Sequence, residues 1–406
     1  MKESVYFSKP GVLCAAGKNA DDLWNSVISG NQSGIKKVTA LNGKPFFAGR
    51  IDDSLIKNPS SARYDMRIMR IEEAALRQIE AQIECARDTY GAHRIGVCVG
   101  SCDNGTEFSV AGHRAYFENG RFSSDYSLEI QGADYVATFV REKYALSGPC
   151  LTFSTACSSS AGAIVKAAEL LKSGVCDAVV AGGIDIASDT VLMGFDSLEA
   201  VSAEITNPFS KNRRGITLGE GAAFFVMTRE PSARTENLPA VKLLGYGESA
   251  DAYHMTSPEP GGDGACRAMR KSLASAGLKA SDVDYINLHG TGTQLNDSME
   301  AKAVAAVFAG EAADVPCSTT KPLTGHTLGA AGAIEAAVCF LSLVNNAGKT
   351  AEHIRLPVQV WDGVQDEELP RLHFADGTAC AAEAIRVCMT NSFAFGGANT
   401  SLILGL

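Results

Sequence analysis

The chain lacks the marks of several large protein classes. No two of its twelve cysteines stand at C-x-x-C spacing, and no His/Cys cluster has the spacing of a structural zinc site. A disulfide framework is excluded as well. Such frameworks belong to small secreted chains, whereas these cysteines are scattered through 406 residues inside apolar runs such as "EAAVCF" and "RIGVCVG". Free, buried thiols in a reducing compartment follow, and the cytoplasm is the expected location. Positive charge is not in surplus: 36 Lys and Arg against 46 Asp and Glu give a formal charge of −10, which speaks against a nucleic-acid partner. The N-terminal "MKESVYFSKPGVLCAAG" has no sustained apolar stretch, so no signal peptide is expected. The longest apolar run, "AGAIEAAVCFLSLV", is short and interrupted by Glu335, so no transmembrane helix is expected. No Walker sequence, dinucleotide fingerprint or metal triad is present.

What is present is apolar residue in quantity, 46% of the chain, enough for a large core and for two packed halves. Strands are predicted at 94–100, 177–183, 222–227, 240–247 and 283–290, each an apolar β-favouring run bounded by turn residues. Helical spacing appears at 67–86 (Ile71, Ala75, Leu76, Ile79, Ile83), 264–277 and 298–309. Alternation of this kind predicts an α/β fold with helices covering buried sheets. The stretch 101–135, rich in Gly, Ser and aromatics, is too long for an ordinary connection and reads as a functional or interface insertion. One internal repeat stands out. A-G-A-I occurs at Ala161–Ile164, just after Cys157, and at Ala331–Ile334, just after His326. Either two related halves place Cys157 and His326 one position apart in a superposed repeat, or alanine-rich helices resemble each other by chance.

Four stretches carry chemistry. In "FSTACSSSAGAIVKAAELL", Cys157 sits among small residues that leave a substrate room to approach, just ahead of a helix. Most cysteines are simply small buried hydrophobes, but a helix N-terminus here would favour thiolate and supply N–H donors for an oxyanion. In "NLHGTGTQLND", His289 stands where a strand meets a glycine-rich loop, the usual place for an α/β site, and Thr291 and Thr293 could bond an elongated polar ligand or merely shape a turn. In "STTKPLTGHTLGAAGAIEAA", Lys321 and His326 precede a helix of small residues. Glu335 lies within that helix and is either a surface residue or the buried partner of Lys321. In "TNSFAFGGANTSLIL", Phe395 followed by Gly396 and Gly397 gives an apolar plug on a flexible loop before a closing strand. One Cys, two separated His and a Lys suit thioester chemistry with a developing enolate, and differ from the Cys-His-Asn set of a protease.

These residues, with "NPFSKNRRGITLGEGAA", stand in the order and spacing of a known family. The chain resembles the β-ketoacyl-acyl-carrier-protein synthases of types I and II nearly end to end. The resemblance implies a thiolase-like fold, two pseudo-symmetric halves in a five-layer αβαβα sandwich. The expected halves are 1–245, with the nucleophile, and 246–406, with both histidines. It implies decarboxylating Claisen condensation in fatty-acid, polyene or polyketide synthesis. Cys157 would accept the acyl group, and His289 and His326 would assist malonyl decarboxylation. Lys321 would support the His326 region with Glu335 as its partner, and the N–H groups of Cys157 and Phe395 would form the oxyanion hole. Thr291 and Thr293 would hold the phosphopantetheine arm, Phe395 and Gly396 would form the gate, and Phe195 would line the site.

No permanently bound cofactor is implied, since the substrate rides on the phosphopantetheine of acyl carrier protein. A homodimer is expected, or a heterodimer with a ketosynthase-like subunit. The alternatives are a specialised polyketide ketosynthase and a non-catalytic carrier-binding scaffold; a scaffold would need none of Cys157, His289, His326 and Lys321. Two departures from the family pattern bear on function. Ala394 replaces a glycine before the gating phenylalanine, and Glu204 falls where type II enzymes carry an arginine for the carrier. Arg63, Arg67 and Arg70, at four- and three-residue spacing, are the expected docking patch for an acidic carrier, with "SKNRRG" (210–215) as the next candidate.

Overall fold

The computed structural model describes residues 4–124, 126–231, 238–310, 313–377 and 384–406. Ten of the fourteen described strands fall into two sets of five with one wiring. In the first, Cys150–Phe153 lies at an edge, parallel to Ile95–Gly100, which is parallel to Ala178–Asp185. Gly221–Thr228 then pairs antiparallel, and Gly11–Cys14 closes the set antiparallel. The second set repeats this as Cys317–Ser318, Tyr285–Asn287, Val387–Phe393, Ala398–Gly405 and Lys242–Ala250. Taken in chain order, the strands of the two sets correspond one to one. A two-residue strand, Tyr6–Phe7, pairs with both Gly221–Thr228 and Lys242–Ala250, so hydrogen bonding runs through all eleven strands of this sheet, while Ile35–Thr39, Pro45–Gly49 and Leu218–Gly219 form a separate small sheet. The expected division at 245/246 falls inside Lys242–Ala250, which belongs wholly to the second set.

Side-chain alternation builds the layers. In Ala178–Asp185, Ala178, Val180 and Ile184 face an outer cluster with Met69, Ile71 and Phe139, while Val179 and Ala181 face Ile164 and Ile334. In the second set, Met389 and Ile403 pack outward against Met269 and Met299, and Cys388, Leu402 and Leu404 face inward. Helices thus cover both outer faces and fill the middle. Strands buried on both faces need unbroken apolar runs, which is why "DAVVAGG" and "AAFFVM" read so clearly.

The middle layer is the helix pair Ser159–Lys172 and Ala331–Asn346. A Cβ on Gly332 would lie 2.9 Å from the backbone nitrogen of Ala161, so only glycine permits this approach, and the Ala333 N–H donates to Ser160 Oγ at 2.9 Å. With its preceding turn, Leu328–Asn346 reaches 19 residues, long and apolar enough to cross a membrane, contrary to the expectation from its length; it is 89% buried between the sheets.

The helix predicted over 67–86 is two helices, Arg67–Leu76 and Glu80–Tyr90, joined by a tight turn at Arg77–Ile79. From that turn the Gln78 amide accepts from Val12 N and donates to Val12 O, capping the free edge of Gly11–Cys14. The stretch 101–135 contains the helix Thr106–Asn119 with exposed Phe117 and Tyr116.

Candidate active site

Each half delivers its chemistry from loops at the C-terminal ends of its parallel strands. After Cys150–Phe153 the chain turns through Ala156–Ser158 into the first middle helix, with Ala156 at φ +51°. Such a conformation costs an alanine on the order of 1 kcal/mol. Serines hold it: Thr155 N–H donates to Ser159 Oγ at 2.9 Å, and Ser159 Oγ donates to Ala156 O at 2.6 Å. Cys157, at the centre of the turn, is only 6% exposed.

After Cys317–Ser318 the other half makes the matching turn, Leu328–Ala330, with Leu328 at φ +49°. Pairing Ala156 with Leu328 puts Cys157 opposite Gly329. The repeat is therefore real, but the A-G-A-I match is two residues out of register, and Cys157 and His326 stand three positions apart rather than one. His326 is locked to the first half: its N–H donates to Thr217 O at 2.7 Å and its carbonyl accepts from Gly219 N at 2.9 Å.

The side chains converge as predicted. His326 Nε2 lies 3.0 Å from Cys157 Sγ, and the His289 and His326 rings stand edge to face at 5.3 Å. The sulfur and one nitrogen of each ring lie within 4.8 Å of one another. Lys321 is buried behind them. Its ammonium donates to Glu335 Oε1 at 2.5 Å and to the His289 carbonyl, and faces His289 Nδ1 at 3.4 Å. An ammonium has only protons to offer, so Nδ1 accepts and the His289 proton sits on Nε2.

Burial, with Lys321 adding to it, holds both imidazoles well below the ordinary histidine range, so both are neutral. Burial also pushes the Cys157 thiol up to about 11, outweighing Lys321 and the Phe395 N–H, which favour thiolate. The expected resting thiolate is thus corrected: desolvation wins over the helix terminus, and the resting group is the thiol.

The Phe395 N–H hydrogen-bonds the Cys157 sulfur from the turn Phe395–Gly397, where Gly396 takes φ +80°. Phe195 and Phe395 stack at 5.7 Å. Ala394 has φ −105° and ψ 155°, an extended conformation open to any residue, so its Cβ imposes no strain in this state. Thr291 and Thr293 hydroxyls lie 3.0 Å apart on the cavity wall, and Thr293 also caps the helix Gln294–Val307, accepting from Asn296 N. The cavity, about 440 Å³, reaches from Cys157, His289 and His326 past Phe195 and Phe395 to Arg214.

Two acids went unnoticed in the sequence. Glu300 accepts from the N–H groups of His289 and Gly290 at 2.7 Å each, and Asp297 accepts from Phe209 N and Gly292 N. Two acids on one face of the helix after a glycine loop were the available signal.

Each of the arginines of the expected docking patch, Arg63, Arg67 and Arg70, has a carboxylate partner. Arg63 lies in a separate turn, Ala62–Tyr64, and pairs with Glu129 at 2.5 Å. Arg67 turns inward, 16% exposed, and binds the buried Glu220 as well as Asp53 at 2.5 Å each. Arg70 pairs with Asp65 at 2.5 Å. Arg63 and Arg70 remain partly exposed, whereas Arg67 is largely buried.

A cysteine flanked by two neutral histidines and a buried lysine, at the seam of a doubled α/β unit, defines a thiolase-fold acyl-transferring site. The sequence patterns of the β-ketoacyl synthase N-terminal and C-terminal domains match residues 10–233 and 241–354, and the chain belongs to the β-ketoacyl synthase family. It is 32% identical over 99% of both chains to a 3-oxoacyl-[acyl-carrier-protein] synthase 2 of Vibrio cholerae. It is 31% identical, over 99% of both chains, to Nodulation protein E of a Rhizobium species. Among solved structures it matches a chain of the ketosynthase (ApeO) and chain length factor (ApeC) complex from Xenorhabdus doucetiae. That match has TM-score 0.87 and 36% identity, and covers 100% of this chain and 98% of that one.

Proposed function

We propose that the protein is a β-ketoacyl-acyl-carrier-protein synthase of fatty-acid or polyketide synthesis. The observation that carries this is the thiol and two neutral imidazoles within 4.8 Å of one another on the wall of a deep cavity. Cys157 attacks the acyl thioester of the carrier's phosphopantetheine, and its proton passes through His326 Nε2 to the departing carrier thiol. The tetrahedral oxyanion is held by the N–H groups of Cys157 and Phe395. Malonyl thioester then enters, its carbonyl oxygen meeting the Nε2–H of His289 and of His326, the latter having exchanged its Nδ1 proton for one on Nε2 once the carrier thiol has left. Carbon dioxide leaves, and the enolate carbon attacks the acyl carbonyl, forming the C–C bond as the C–S bond to Cys157 breaks. One proton from solvent, relayed by His326, restores the thiol and balances the lost carboxylate.

The carrier docks at the cavity mouth. There Arg214 is exposed, with no ion pair among the described residues. The half-exposed edge strand Cys150–Phe153, where Leu151 is 37% exposed, together with Phe117 and Leu128, forms the face for a second subunit, a further copy or a related chain. Eleven free cysteines among the described residues suit a reducing, cytoplasmic setting.

Mass spectrometry after incubation with acyl-carrier protein tests the function: an acyl group should load on Cys157, and Cys157→Ala should neither load nor condense. Condensation by Cys157→Ala would sink the assignment, and loading without condensation on malonyl-carrier would leave a plain acyltransferase.

A further inference from the structure

The turn Leu328–Ala330 mirrors the nucleophile turn, and Gly329 mirrors Cys157. In the first half the N–H of the central residue is the expected donor to a substrate oxyanion. In the second half the corresponding N–H already has an acceptor, a buried carboxyl that burial pushes up to about 7 against two N–H donors. Gly329 N donates at 2.7 Å to Asp185 Oδ2, and the same oxygen accepts from Cys102 N at 2.9 Å. Asp185 ends the strand Ala178–Asp185 and is 1% exposed. A Cβ on Gly329 would stand 2.6 Å from that oxygen and 2.9 Å from Cys102 N, so the niche is closed to any side chain from its own turn.

We propose that Asp185 is a positioning residue for the condensation, its carboxyl oxygen filling in the second half the niche that a substrate oxyanion fills in the first. Through Gly329 it anchors the turn that follows His326. Through Cys102 it reaches the nucleophile turn, since Cys102 Sγ donates to Ala156 O at 3.3 Å and lies 3.9 Å from Ser159 Oγ. Ser101 Oγ, 3.4 Å from Asp185 Oδ1, steadies the other oxygen. One buried carboxyl thereby fixes both ends of the 3.0 Å contact between Cys157 Sγ and His326 Nε2. Displacements of an ångström in such contacts cost about 100-fold in rate, so the clamp acts on turnover rather than on carrier binding. The inference rests on Cys157 and His326 being the catalytic pair, which Cys157→Ala tests on its own.

Asp185→Ala leaves two N–H donors facing an anion-sized gap beside the partly buried Cys102. Its kcat for condensation should fall about tenfold to 100-fold with carrier KM little changed, and added formate should restore a measurable part of it. Asp185→Asn keeps one oxygen able to accept both N–H groups and should stay within a few-fold of wild type. A folded Asp185→Ala protein with wild-type turnover would overturn the proposal, as would a loss that formate leaves untouched. Should the alanine variant not fold, a folded but nearly inactive Asp185→Asn would overturn it equally.

Discussion

The two halves share one strand order and one turn geometry, yet they carry different chemistry. The first half puts a thiol at the centre of its turn and leaves the neighbouring space open as a cavity. The second puts glycine there, fills the space with Asp185, and spends its loops on His289, Lys321 and His326. Duplication explains why the parts meet. Two copies of a unit whose loops gather at strand ends, packed about a shared helix pair, bring both sets of loops to one seam. Divergence explains why they cooperate: a nucleophile and its proton carrier need not come from the same copy. The cross-links are backbone bonds from Thr217 and Gly219 to His326, so the second half's histidine is held by the first half's chain.

Removing either histidine tests this division most severely. His289→Ala or His326→Ala should lower malonyl decarboxylation by about two orders of magnitude or more, because each removes a donor from the developing enolate. The two should differ in acyl loading. His326→Ala should also slow loading, since a thiol held near pKa 11 loses the base 3.0 Å from it, and loading should recover as pH rises. His289→Ala should load nearly normally. Equal loading by the two variants, measured by mass spectrometry over time, would break the assignment of separate roles.

Much of this was legible in the sequence because it is local. Runs such as "AAFFVM" need both faces buried, and "TACSSSAG" shows a reactive residue ahead of a helix; the convergence of Cys157, His289, His326 and Lys321 followed from motif order. What was not legible depends on distance in space. The break at Arg77–Ile79 serves the edge of Gly11–Cys14, more than sixty residues upstream. Arg67 looked like a surface cation because nothing nearby in sequence announces Glu220, which binds it. The Cys157 thiol looked activated because a helix start is visible in sequence, while the burial that outweighs it is not.

The arginines offer the next sharpening. In the first half Arg67 and Arg70 are matched by carboxylates, while Arg214 at the cavity mouth has no ion pair among the described residues. Arg214→Glu should raise the carrier KM several-fold at low salt, with the effect fading as salt screens it, and leave turnover of a small thioester unchanged. Arg70→Glu should change the carrier KM little. Arg67→Glu should lower the melting temperature instead, because it faces the buried Glu220 with a like charge. A carrier KM that responds to Arg70 and ignores Arg214 would return docking to the first outer helix.

The smallest expected effect compares buried acids in the outer helices of the two halves. Glu300 is buried with two backbone N–H donors, while Glu72 is buried with no hydrogen-bond partner on either oxygen among the described residues. Burial pushes Glu300 up to about 8 against the Gly290 and His289 N–H groups; burial and Glu73 push Glu72 well above its ordinary value with nothing opposing. A carboxyl raised on folding holds a proton that the unfolded chain releases, so its cost to stability grows as pH rises from the unfolded value towards the folded one. Glu72→Gln removes that cost. It should raise the melting temperature, by little at pH 5 and by more at pH 8, on the order of 1 to 3 kcal/mol at most. Glu300→Gln should act with the opposite sign, because its amide NH₂ turns against one of the two N–H groups it must accept. It should also slow decarboxylation, since those N–H groups belong to the His289 loop. A pH-independent shift for Glu72→Gln would mean that its carboxyl finds a partner in solution, and the contrast between the two helices would fall.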